Sequence, residues 1–113
     1  MSDGGQLAQA MEAWSKKIHD NAREKGFWDQ DRNMGEFVAL CHSELSELLE
    51  GLRHGDPPSD KIPEFSSAEE EAADLIIRVM DMAHYCGWRL GEAIVAKHEH
   101  NRGRTKMHGG KLF

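Results

Sequence analysis

At 113 residues, 39% of them hydrophobic and 30% charged, the chain is sized for one small domain, residues 1–113. A formal charge of −6 argues against a nucleic-acid partner or an anionic membrane surface, both of which call for a basic footprint. No apolar run approaches the roughly 18 residues that cross a bilayer, and the interspersed charges with clear apolar periodicity describe a globular chain rather than a disordered one.

A core this small favours assembly, so a homodimer or homotetramer is expected. Residues 1–6 lack the basic and apolar regions of a secretory signal. Cys41 and Cys86 sit in helical apolar patterns and form no C-x-x-C, which suits reduced core thiols. A cytoplasmic location follows as an expectation.

In chain order, the first predicted helix covers residues 6–25, with Leu7, Ala10, Met11, Trp14 and Ile18 spaced three or four apart and Gly26 stopping it. Residues 1–5 are left as a flexible lead. Residues 26–33 read as a polar loop that exposes two aromatics, Phe27 and Trp28. A second helix covers 34–54, with Phe37, Leu40, Cys41, Leu45, Leu48, Leu49 and Leu52 on its buried side. Gly55, Asp56, Pro57 and Pro58 break the chain, and a loop runs to Phe65.

Ser66 or Ser67 caps the third helix, and Ser67 with Glu70 has the spacing of a capping box. That helix extends to residue 86 along a stripe of Ala68, Ala72, Leu75, Ile76, Val79, Met80 and Ala83, and Gly87 ends it. The fourth helix spans 90–102, followed by a basic, glycine-rich tail over 103–113. With no alternating strand pattern, the fold class is all-α.

The chemistry concentrates in acids on the second and third helices. Glu44 and Glu47 are three apart, as are Glu71 and Asp74, and side chains three apart share a helix face. All four border the apolar stripes rather than oppose them. Carboxylates so placed repel one another and lose hydration unless a cation neutralises them. Hard oxygen ligands on rigid helices suit Mg²⁺, with Mn²⁺ able to substitute. Solvated faces are the ordinary explanation of acidic runs, and Glu69 and Glu70 fit it as first-turn acids. A di-iron bundle would need Glu-x-x-His on two helices, and the nearest pattern is a single Asp81…His84.

Downstream, Lys97, Asn101 and Arg104 follow at spacings of four and three, and the tail adds Lys106, His108 and Lys111. Basic residues at a helix C-terminus complement the macrodipole. They equally suit phosphate oxygens, arginine by bidentate contact and lysine as a point charge.

Three stretches in this order, residues 42–53 (HSELSELLEGLR), residues 70–74 (EEAAD) and Lys97-x-x-x-Asn101-x-x-Arg104, make the chain resemble the MazG-like nucleoside triphosphate pyrophosphohydrolases over residues 26–113. The family's E-E-x-x-E stands here as Ser43-Glu44-Leu45-Ser46-Glu47, without its first acid. The resemblance implies a four- to five-helix bundle assembled as a dimer or dimer of dimers. It also implies Mg²⁺ held by Glu44, Glu47, Glu71 and Asp74 as metal-ligating and catalytic residues. Lys97, Asn101, Arg104 and Lys111 would meet the triphosphate, and Trp14, Phe27 and Trp28 would lie near the base.

The implied reaction converts a nucleoside triphosphate to monophosphate and pyrophosphate, with Glu47 the favoured orienter of water and Glu50 further out. Compact phage-borne members give a lean to dGTP or GTP, and a phage origin would make the location the host cytoplasm. Relatives acting on dUTP, dCTP or phosphoribosyl-ATP stay open, as does a non-catalytic helical module whose acids bind a structural ion or a partner.

Overall fold

The computed structural model describes residues 2–103, and Arg104 and Lys111 lie outside them. Four helices are present, α1 (Asp3–Glu24), α2 (Met34–Arg53), α3 (Ser67–Cys86) and α4 (Leu90–Arg102). No strand occurs among the described residues, only an isolated bridge between Pro58 and Ser66. The fold is all-α.

Each start follows from a cap or a local charge. α1 begins earlier than the periodicity suggests because the Ser2 side chain accepts the Gly5 N–H and Asp3 favours the positive end of the helix. The helix therefore takes in residues 3–5, which the sequence placed in a flexible lead. Asn33 caps α2 by accepting the Glu36 N–H. At α3 the capping box is Ser66 with Glu69, not Ser67 with Glu70. Both pairs have the right spacing, but Glu70 is taken by the hydroxyl of Ser59 from the preceding loop. α3 ends at Gly87, whose φ of +72° is a left-handed conformation that a side chain would strain.

The central element is α3, which packs against both α2 and α1, while α4 packs on α1. The α1–α4 crossing is close at Gly91, where a Cβ would come within 2.8 Å of the Ala8 Cα.

Among the described residues the buried apolar side chains are few: Phe37, Met80, Met82 and Ala83. The outer half of the expected α2 stripe is open, with Leu45, Leu49 and Leu52 each about half exposed. Ile76, expected on the α3 stripe, is 55% exposed. On α1 the expected period holds but its phase is turned. The buried residues are Ser15 and His19, and Leu7 and Trp14 face out.

His19 is buried because Asp81 of α3 is there to meet it, with Nδ1 2.7 Å from Oδ1. The indole N–H of Trp28 donates to both Asp81 oxygens at 3.0 and 3.1 Å. The expectation of two exposed loop aromatics is thereby corrected. Trp28 is half-buried, its ring stacked 4.2 Å from Tyr85 and 5.5 Å from Phe37. Phe27 lies edge-on to Phe37 and beneath the Arg32 guanidinium, 3.4 Å from the ring centre. One buried acid thus ties α1, α3 and the 26–33 loop together.

Candidate functional site

Because α2 and α3 pack side by side, the two acid pairs converge. Glu44, Glu47 and Glu71 bring carboxylate oxygens within 4.8 Å of one another, and so do Glu70, Glu71 and Asp74. Glu71 belongs to both groups. The sequence placed Glu70 among solvated first-turn acids, whereas here it joins the second group.

The electrostatics of the cluster are uneven. Burial pushes the Glu44 carboxyl up, but Arg78, whose Nε donates to Glu44 Oε1 at 2.8 Å, together with hydrogen bonding from Glu71 and Glu47, outweighs this and holds it below the usual range. Glu71 has no such cation among the described residues. Burial, and then the neighbouring carboxylates of Glu47 and Glu44, push it up to about 7. Asp74 is raised by burial and by the charges of Glu44 and Glu70, with Lys61 and Arg78 opposing.

One atom summarises the imbalance. Glu71 Oε2 is buried and has no hydrogen-bond partner among the described residues. A buried polar atom left this way costs free energy, commonly about 1–3 kcal/mol, and is rare in folded proteins.

The acids form one wall of an open cavity of about 760 Å³. α1 forms the facing wall with Trp14, Lys17, Ile18, Asn21 and the adjoining Lys25, and the 55–66 loop contributes Lys61. Trp14 is 57% exposed, with Lys17 Nζ 4.6 Å from its ring centre. Phe27 also reaches this cavity.

Of the residues singled out in the sequence, Glu44, Glu47, Glu71, Asp74 and Trp14 meet here. Lys97 and Asn101 do not; both are exposed on α4 and neither lines the cavity. Trp28 is absent from the lining too, engaged by Asp81 and its aromatic neighbours. The triphosphate roles given to Arg104 and Lys111 fall outside the described residues.

Sequence reasoning gave no place at this site to Arg78 or Lys61, and weighed Asp81 only within a di-iron pattern. For Arg78 and Asp81 a signal existed. Glu71, Asp74, Arg78 and Asp81 are spaced three, four and three, so one face of α3 carries them all. Lys61, in a loop, had no such register.

No protein-family model matches this chain, and no curated protein or solved structure matches it significantly.

Proposed function

We propose that the chain is a Mg²⁺-dependent nucleoside triphosphate pyrophosphohydrolase of the MazG-like kind, releasing monophosphate and pyrophosphate. The observation that carries the reading is the buried, unpartnered Glu71 oxygen at the shared corner of two acid groups. An all-oxygen donor set with an orphaned carboxylate fits a hard divalent cation, and Glu44, Glu47, Glu71 and Asp74 would hold it. When bound, such a cation supplies positive charge to phosphate oxygens and acidifies water.

This chain's own groups supply the rest. Glu47, the exposed member of its triad, would orient the attacking water and accept its proton. The water oxygen bonds to phosphorus while the link between the α and β phosphates breaks and pyrophosphate departs. Trp14, more than half exposed across the cavity although Lys17 lies over its ring, would stack with a base. Lysines already at the cavity suit the phosphates better than Lys97 does. The lean to dGTP or GTP rests on the resemblance alone.

A second copy is part of the proposal. Leu45, Leu49, Leu52 and Ile76 leave apolar surface on α2 and α3 beside the acids, as a subunit interface would require.

The test is release of pyrophosphate from a panel of ribo- and deoxyribonucleoside triphosphates with and without Mg²⁺, scored for the monophosphate formed. Turnover of at least one nucleotide, dependent on Mg²⁺ and reduced about 100-fold or more by Glu71→Gln, is expected. Absence of turnover across the panel overturns the reading.

A further inference from the structure

The cavity needs cations for a polyphosphate, and those that line it are not equally available. Arg78 is committed to Glu44. Lys17 lies over the Trp14 ring on the far wall, which Lys25 shares. Lys61 alone comes from the loop beside the acids, and it forms no ion pair among the described residues, although its charge opposes the upward push on Asp74.

The loop that carries Lys61 is fixed rather than slack. The Ser67 N–H donates to the Pro57 carbonyl at 2.7 Å, and the Ala68 N–H to Asp56 Oδ1 at 2.8 Å. The Ser59 N–H closes the loop onto the Phe65 carbonyl at 2.9 Å. Ser59 itself is only 4% exposed. Its hydroxyl donates to Glu70 Oε1 and accepts the backbone N–H groups of Lys61 at 3.2 Å and Ile62 at 3.1 Å. The Lys61 backbone is thus tied through one serine to an acid of the cluster, while its side chain remains exposed at the cavity.

A lysine serving only to neutralise the acids would pair with one of them, as Arg78 does with Glu44. Lys61 is instead, among the described residues, an unpaired point charge lining the acidic cavity, the arrangement that suits phosphate oxygens brought in with their own cation. We propose that Lys61, presented by the pinned 55–66 loop, holds the polyphosphate of the substrate, with Ser59 as its positioning residue. The inference rests on the triphosphate reading above and assigns to Lys61 the contact expected of Lys97.

The experiment uses the full chain and two probes, the best nucleotide of the panel and inorganic tripolyphosphate as a competitive inhibitor. With Lys61→Met, KM and the tripolyphosphate inhibition constant should each rise about tenfold, the loss of one charge-assisted contact. Lys61→Arg should stay within about threefold of the unsubstituted chain. Mg²⁺ affinity of the nucleotide-free protein, read by calorimetry, should hold or tighten in Lys61→Met, because a neighbouring positive charge has gone. If the unsubstituted chain hydrolyses nucleotides and Lys61→Met leaves both constants unchanged, the Lys61 assignment is wrong and the enzymatic reading stands. The assignment is equally wrong if Mg²⁺ affinity falls as far as nucleotide affinity, since Lys61 would then be shaping the acid cluster. No turnover by the unsubstituted chain ends both.

Discussion

Glu71 and Asp81 lie ten residues apart on the same helix and line the same cavity, yet they are opposite cases. Asp81 is 5% exposed and fully partnered, with His19 on one oxygen and the Trp28 indole N–H across both. Glu71 faces other carboxylates and keeps a buried oxygen with no partner among the described residues. Burial of an acid is therefore not by itself a sign of function. The satisfied acid joins three segments of the fold, and the unsatisfied one is where the proposed cation would sit.

The contrast is tested most sharply at Asp81. Asp81→Ala strands a buried histidine and an indole N–H, which should lower stability by about 3 kcal/mol. A fall in melting temperature of about 10 °C or more is expected. By contrast, Asp20→Ala, which removes the exposed Lys16–Asp20 pair at 2.7 Å, should leave the melting temperature almost unchanged. Equal effects from the two substitutions would show that the His19–Asp81 contact is not what joins α1 to α3.

Glu71→Gln should do the reverse of Asp81→Ala. Beyond its effect on turnover, it removes a charge from a crowd of acids and adds an amide that can donate to Glu44 or Glu47. The metal-free protein should hold or gain up to about 1 kcal/mol of stability at pH 8, while the rise in melting temperature on adding Mg²⁺ should largely disappear. A destabilised Glu71→Gln protein that still responds fully to Mg²⁺ would put Glu71 in the same class as Asp81.

The pH dependence of the metal-free protein carries the same contrast. The Glu71 carboxyl is raised from an ordinary 4.5 to about 7 in the folded chain. Between those values the folded state binds more protons than the unfolded one, so this group's contribution to stability is full below about 4.5 and is lost as pH rises through 7. Melting temperature without Mg²⁺ should therefore fall between pH 5 and pH 8 by more in the unsubstituted chain than in Glu71→Gln. Mg²⁺ should stabilise more at pH 8 than at pH 5, because a cation competes with the Glu71 proton.

How much of this could be read from the residues depended on how far apart the partners lie in sequence. Glu44 with Glu47 and Glu71 with Asp74 were legible because a helix converts a spacing of three into one face. The bounds of α4 were legible too, the helix running Leu90–Arg102 as its pattern implies. The choice between two capping boxes was not, because it turns on Ser59 taking Glu70 from outside the helix. The buried face of α1 was misjudged by a small rotation. A rule that places apolar residues inside cannot foresee that His19 goes in to meet an aspartate 62 positions away, leaving Trp14 to the cavity.

The smallest expected effect is at Lys97, where sequence and structure part most plainly. Lys97 and Asn101 share a spacing as regular as that of the acids, but α4 packs on α1 and neither residue lines the cavity between α1 and the acid cluster. Regular spacing puts residues on one face and says nothing about what that face meets. Lys97→Ala should therefore change KM for the nucleotide by less than about twofold, against about tenfold for Lys61→Met. The two variants, assayed side by side on the same substrate, compare the α4 face with the loop directly. A larger loss at Lys97 than at Lys61 would mean that α4 reaches a cavity other than that of its own chain, and repeating the measurement across protein concentration would identify a second copy as the place it reaches.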